Sequence, residues 1–432
     1  MELFGTQKIN ESGMLTVGGV SLAALKEKYG TPLYVMDETH IRRQCQYFTQ
    51  RFTHPSVKSE VIYASKAFLT KAMCTLIEQE GLSLDVVSGG ELFTAKQANY
   101  PMDKVYFHGN NKSIEEIQMA IDYGVGVLVI DHEAELDLMI GLLNKDHSVN
   151  VLLRINPGIE AHTHEFIATT KNDSKFGLSI FDETTIDVIK RMVNQPNVNF
   201  LGFHSHIGSQ IFESDSFYKH AQVVLEYIAR LKNDFNIQVD VMNLGGGFGV
   251  RYIEEDLPIV DDTFLTNMLN FIHNVSKKLH ISAPKVCIEP GRAIVANAGL
   301  TLYTVATTKK TFGEKQYVFV DGSMADHLRT VLYDATYTGV LANRMYESHS
   351  QPYTVTGKAC ESGDIIIRKA LLPTPQANDL LVVLSTGAYH YSMASNYNRL
   401  RRPAVVFVKE GTSKLVVRRE RYEDLIQYDE AL

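Results

Sequence analysis

VIYASKAF (61–68) opens on four apolar residues that do not alternate with polar ones, and seven more runs of this kind follow it. They are LDVV (84–87), VYFH (105–108), VLVI (127–130), VLLRI (151–155), LGFHSH (201–206), VMNLG (241–245) and VCIE (286–289). A strand with one wet face alternates, whereas a strand covered on both faces reads as a continuous apolar run. Between the runs lie SIEEIQMAIDY (113–123), HEAELDLMIGLL (132–143) and SFYKHAQVVLEYIARL (216–231), with apolar residues three and four apart as in an amphipathic helix. Ser113 and Asp131 stand where helix N-caps are expected. Parallel strands need crossover connections, so eight strand–helix alternations predict an α/β fold built on a parallel (β/α)8 TIM barrel.

Beyond about residue 297 the texture changes. YTVATTKK, YVFVDGS, YTVTGKA, LLVVLSTGAY, AVVFVKEG and KLVVRR are β-branched, partly alternating and broken by Gly, Pro and Asn turns. That pattern predicts an antiparallel β domain. PLYVMD (32–37), preceded by a turn-like Gly18-Gly19, is strand-like and is expected to join it. The expected division is a barrel over 38–296 and a β domain made of 1–37 with 297–432.

A net charge of −8 leaves no basic face to neutralise phosphates, which argues against nucleic acid as a partner. No apolar run approaches the ~20 residues of a membrane span, and MELFGTQKIN shows no signal-peptide pattern. Four scattered cysteines, Cys45, Cys74, Cys287 and Cys360, form no CxxC pair. They fit reduced thiols in a cytoplasmic enzyme better than a disulfide framework or a zinc site.

In a barrel, functional groups gather where strands end, and the unusual sequences sit there. Lys66 follows the first strand, where a desolvated amine can condense with a carbonyl cofactor; a solvated loop lysine is the plain alternative. LGGGFG (244–249) ends the seventh strand, with backbone N–H groups open to a phosphate, or with nothing more than a tight turn. HSHIGS (204–209) ends the sixth and presents His206, Gly208 and Ser209. His204 and His206 share a strand face, but no carboxylate or cysteine at sensible spacing completes a metal set, so no metal is expected. EPGR (289–292) ends the eighth; Glu289 could pair with Arg292 or supply the anion that a pyridinium nitrogen needs. In the β domain, ACESGD (359–364) sets Cys360 beside Glu361, and GAYHYSMASNYN (387–398) places Tyr389 in an irregular polar loop.

Together these segments resemble the fold-type III pyridoxal-phosphate decarboxylases, a family that joins an alanine-racemase-like barrel to a β domain. DVVSGGEL (85–92), FHGNNKS (107–113), SKFGL (174–178), GFHSHIGSQ (202–210), LGGGFG, EPGR, CESGD (360–364) and GAYHYSMASNYN occur in the family's order, over about residues 20–405. They are most similar to the branch that decarboxylates meso-2,6-diaminopimelate to L-lysine, the last step of lysine biosynthesis. The resemblance implies pyridoxal 5'-phosphate carried by Lys66, with His206 stacked on its ring and Glu289 on its ring nitrogen. It implies Ser209, Gly245, Gly246, Gly247, Gly291 and Arg292 around the phosphate. Arg292, Arg329 and Tyr333 would bind the substrate's distal carboxylate, Glu361 its distal ammonium, and Tyr389 both substrate and cofactor. The catalytic set would be Lys66, His206 and Cys360, with Cys360 a candidate proton donor that reaches the partner's site in a homodimer. Two positions depart from the family pattern. Thr330 follows Arg329 where proline is usual, and Thr169-Thr170 stands in place of Thr-Gly. A racemase or a basic-amino-acid decarboxylase of the same fold, or a non-catalytic relative, are the rival readings. A racemase lacks the CESGD-plus-arginine set, a basic-amino-acid decarboxylase would want an acid at Arg329, and a non-catalytic relative typically loses the lysine or the phosphate loop.

Overall fold

A computed structural model describes residues 2–144, 148–159, 174–259 and 262–432. All eight apolar runs are strands: β1 (Ser59–Ala64), β2 (Ser83–Val86), β3 (Val105–Phe107), β4 (Val127–Ile130), β5 (Val149–Asn156), β6 (Val198–His204), β7 (Val241–Asn243) and β8 (Lys285–Ile288). Each pairs in parallel with the next, and β8 returns to β1 through Val286↔Ser59 and Ile288↔Val61, closing the barrel. Ile62, Tyr106, Val129, Leu152, Val241 and Cys287 fill part of the barrel core. With apolar neighbours on both sides, no strand needs a polar face, which is why the runs are continuous.

The chain divides into two compact units, one of Cys45–Gly249 with Leu257–Gly291, the other of Met1–Gln44, Val250–Asp256 and Arg292–Leu432. The first is the barrel. In the second, β9 (Gly299–Lys310) lies between the strand Leu33–Asp37 and the strand Gln316–Val320. Most of the pairings of this sheet are antiparallel, as expected for the β domain. Two are parallel: Leu33–Asp37 with Ala404–Lys409, and Gln316–Val320 with Gln351–Thr356. In both cases the paired strands are remote enough in sequence for the chain to return in the same direction.

The helices follow the spacing signal. Ile114–Tyr123 starts on a capping box, in which Ser113 Oγ accepts the Glu116 N–H and Glu116 reaches back to the Ser113 N–H. The next helix, Glu133–Leu142, corrects an expectation: its N-cap is His132, whose Nδ1 accepts the Glu135 N–H, and not Asp131. Asp131 instead accepts the Gly177 N–H at 3.1 Å and faces Arg154 at 4.0 Å. Lys112, from FHGNNKS, is buried and donates to Gly109 O, Val129 O and Glu135 Oε1, tying the loop after β3 to β4 and its helix. Among the described residues, no helix is long and apolar enough to cross a membrane. Cys45, Cys74 and Cys287 are buried, Cys360 is exposed, and none is in a disulfide.

Candidate active site

The carboxyl-terminal ends of the barrel strands each deliver a polar side chain. Lys66 sits in the short turn Ser65–Ala67 directly after β1, with its side chain exposed. That turn is tied down from outside, since Glu91 accepts both the Ser65 hydroxyl and the Val87 N–H at 2.8 Å. The Lys66 charge is felt by Asp85, Glu91 and His206, which places these four groups around one region.

Glu289, just past β8, is buried and lies between two imidazoles. Its Oε2 is 3.2 Å from His204 Nε2, and its Oε1 is 2.9 Å from His108 Nε2, close but off the line of a good hydrogen bond. Asn243 Nδ2 donates to Oε1 at 2.6 Å. Burial acts to raise the Glu289 carboxyl, but the His108 and His204 rings beside it outweigh burial and hold it well below the usual carboxylate range. His204 itself is pushed down to about 3, chiefly by burial. The outcome is a buried acid held as a carboxylate next to an imidazole kept neutral. The possible ligand atoms of His108, His204 and Glu289 lie within 4.8 Å of one another. A carboxylate therefore does join His204, contrary to the expectation from spacing along the chain, because it arrives from a different strand.

The glycine loop after β7 is packed against this acid. Gly245 and Gly247 have φ of +67° and +101°, conformations that favour glycine, and a Cβ on Gly246 would lie 2.4 Å from Glu289 O. A Cβ on Gly245 would meet His206 Nδ1 at 2.9 Å, and one on Gly291 would meet Ala64 O at 2.8 Å. His206 is driven well below its ordinary range by burial, then by the Lys66 and Arg154 charges, so its ring is neutral and offers a flat face. Ser209 stands in the loop after β6, two residues before Ile211, whose N–H donates to Gly247 O at 2.9 Å. Lys66, His206, Ser209, Gly245–Gly247, Glu289 and Gly291 thus all belong to the strand ends of one barrel. Sequence reading missed Asp85, His108 and Arg154. Each is a polar residue inside or at the end of an apolar run, which is the signal that finds them. Asp85 is 2% exposed, its Oδ1 has no hydrogen-bond partner among the described residues, and burial pushes its carboxyl up to about 7.

The second unit holds a separate cluster. Arg292 donates through Nη1 to Tyr252 Oη at 2.6 Å, and its guanidinium lies 4.8 Å from the centre of the Tyr389 ring. Arg329 lies 5.2 Å from the same ring and 4.9 Å from the Tyr333 ring, and donates through Nε to Tyr337 Oη at 3.0 Å. Two guanidinium groups therefore converge on Tyr389, whose own backbone has φ +63°. Tyr252, Tyr337, His327 and His390, whose rings pack edge-to-face on one another except for the tilted His327–His390 pair, were not singled out from the sequence. Thr330 does not displace Arg329: its hydroxyl reaches Ile366 O at 2.8 Å, anchoring the turn Arg329–Tyr333 to the neighbouring strand. Thr169-Thr170 falls outside the described residues.

Cys360 and Glu361 are both exposed. The Cys360 N–H donates to Asn398 Oδ1 at 2.7 Å, and Tyr397 Oη donates to Glu361 Oε2 at 3.4 Å, so the CESGD turn is docked on the loop that follows Tyr389.

Residues 38–296 match the family model described as the pyridoxal-binding domain of pyridoxal-dependent decarboxylases. The chain is 46% identical to diaminopimelate decarboxylase of Bacillus subtilis over 99% of this chain and 98% of the relative. It is 44% identical to that of Staphylococcus aureus over 98% and 99%. The solved structure of diaminopimelate decarboxylase from M. jannaschii in co-complex with L-lysine superposes with a TM-score of 0.91 at 32% identity, covering 99% of this chain and 98% of that one. Identity of this extent, end to end, on a closed barrel whose strand ends carry Lys66 and the buried Glu289, places the chain in the diaminopimelate decarboxylase family of pyridoxal-dependent decarboxylases.

Proposed function

We propose that this chain removes CO2 from meso-2,6-diaminopimelate to give L-lysine, with pyridoxal 5'-phosphate bound at the barrel strand ends. The barrel residues fit that cofactor: a glycine cradle that Cβ atoms would fill, a lysine after β1 and a buried carboxylate held charged. Lys66 would carry it, Glu289 would face its ring nitrogen, His206 its ring face, and Ser209 with Gly245–Gly247, Gly291 and Arg292 its phosphate. When bound, the cofactor supplies an electron sink for the pair left behind as CO2 departs.

The observation that carries the substrate reading is Arg329. It is 8% exposed, and among the described residues its partners are a tyrosine hydroxyl and two rings, with no carboxylate. A buried cation calls for an anion, and the distal carboxylate of diaminopimelate is one. Arg292 and Tyr333 complete the carboxylate-binding group, and Tyr389 lies between the two arginines as a contact for substrate and cofactor. The exposed Cys360 and Glu361 act across a homodimer boundary, Glu361 on the distal ammonium and Cys360 as thiol proton donor to the carbon that loses CO2. A planar guanidinium binds a carboxylate through paired hydrogen bonds, so L-lysine, which placed as a substrate would present no second carboxylate to Arg329, is a product and not a substrate.

Incubation of the holoenzyme with meso-, LL- and DD-diaminopimelate, followed by product analysis, tests the reading. CO2 and L-lysine from the meso form alone support it. Turnover of L-lysine or L-ornithine in preference to diaminopimelate would overturn it.

A further inference from the structure

The turn Arg329–Tyr333 is held by a polar chain that ends on Arg329. Thr330 is buried, with Oγ1 2.8 Å from Ile366 O, 3.2 Å from Ala335 O and 3.2 Å from His327 Nε2. A hydroxyl has one proton, and both carbonyls are acceptors only, so that proton goes to a carbonyl and the oxygen accepts the His327 Nε2–H. This assigns the tautomer: Nδ1 of His327 carries the lone pair, and it is buried with no hydrogen-bond partner among the described residues. The assignment agrees with a neutral ring, because burial and then Arg329 push His327 down to about 3. The fixed ring packs edge-on against Tyr337 at 4.9 Å and 76°. Tyr337 Oη is in turn the acceptor for Arg329 Nε at 3.0 Å. His390 and Tyr252 close on the remaining sides of Tyr337, at 5.1 and 5.2 Å.

We propose that Thr330, His327 and Tyr337 form a positioning relay that aims Arg329 at the anionic end of the substrate and so sets preference for a substrate with two carboxylates. The three residues act through Arg329 and touch neither substrate nor cofactor. A guanidinium on a long, rotatable stem binds a carboxylate tightly only if its plane is set beforehand. The Nε–Tyr337 bond fixes one edge of that plane, and the buried threonine fixes the ring that wedges Tyr337. The inference rests on the reading of Arg329 as the carboxylate-binding residue.

The test is a double-mutant cycle on the full-length holoenzyme with meso-diaminopimelate. Thr330→Val keeps the shape and removes the hydroxyl; it should raise KM about tenfold with kcat held within about twofold, the mark of lost uniform binding. Thr330→Ser should restore most of the loss. In an Arg329→Ala background, Thr330→Val should add nothing further, because the residue it positions is gone. If Thr330→Val does not fold, Tyr337→Phe enters the same cycle, since it removes the Arg329 acceptor and leaves the Thr330 contacts in place. Additive effects in the two backgrounds, or a loss in kcat with KM unchanged, overturn the inference in favour of a general packing role. A raised KM in Arg329→Ala with an unmoved KM in Thr330→Val overturns this inference alone. An unmoved KM in Arg329→Ala overturns the reading of Arg329 and the relay with it.

Discussion

A Cβ on Gly246 would stand 2.4 Å from the carbonyl oxygen of Glu289, so the glycine loop and the buried acid are fitted backbone to backbone. Gly246→Ala has to move one or the other, with a strain of roughly 1–3 kcal/mol for overpacking. The expected result is weaker retention of pyridoxal phosphate, read as a higher cofactor concentration for half-maximal activity. A variant that binds cofactor like the parent would separate the loop from the cofactor.

Lys66→Ala should lose the cofactor's protein-bound absorbance and lower activity by orders of magnitude. The turn Ser65–Ala67 is held by Ser65 and Glu91, not by the lysine side chain, so thermal stability should hardly change. Retention of both the absorbance and the rate would assign the anchor to another lysine.

The proposed sharing of active sites between subunits is tested by complementation. Lys66→Ala and Cys360→Ala subunits are each inactive alone under the proposed arrangement. Random mixing gives about half heterodimers, each with one intact site, so roughly a quarter of native sites should return. Confirmed subunit exchange without recovery would place both residues in the same subunit's site.

Arg329→Ala should raise KM for meso-diaminopimelate, with an apparent loss of about 2–5 kcal/mol from an unpaired carboxylate. The cofactor spectrum should not change. Any residual turnover of L-lysine should fall much less, because a lysine whose own carboxylate is the one being lost has no second carboxylate for Arg329 to bind.

Acid sensitivity follows from the buried imidazoles. His204, His220 and His327 are each pushed down to about 3, chiefly by burial. These values lie below the unfolded value of about 6.5, so the unfolded chain binds protons that the folded chain refuses. Stability from this source is complete above about pH 6.5 and is lost as the pH falls toward 3, by up to ~1.4 kcal/mol per pH unit for each ring. His220, which meets Ser205 Oγ at 2.6 Å, offers the cleanest check. His220→Asn should lower the melting temperature at pH 7 yet flatten its decline between pH 7 and 5. An undiminished slope would remove His220 from the account.

The barrel was legible because burial on both faces writes itself into composition: VLVI and VLLRI have no wet side to record. The position of the candidate groups was legible for the same reason, since Lys66, His206, Gly245 and Glu289 each stand where an apolar run stops. What the runs could not show is which strand ends meet. His108, His204 and Glu289 come from β3, β6 and the end of β8, and only the closed barrel brings them within one cluster. The two parallel pairings of the second unit were hidden likewise, because alternation marks a strand without naming its neighbour. The cap at His132 was missed because Asp131, the better cap by residue type, is drawn to Gly177 and Arg154 by contacts distant in sequence.

The strand Leu33–Asp37 lies between β9 and Ala404–Lys409. During synthesis it emerges early, and both of its neighbours emerge after the entire barrel has been made. Every barrel strand, by contrast, has at least one partner within a few dozen residues along the chain. The barrel therefore has the means to close while the growing chain is still attached to the ribosome, with the first segment waiting unpaired beside it. An apolar LYVMD left without neighbours for that long is the point at which a nascent chain of this kind is most open to chaperone capture or wrong pairing. Slowing translation between residues 300 and 404 should lengthen that exposure, and slowing it within the barrel should not alter the order in which the two units complete.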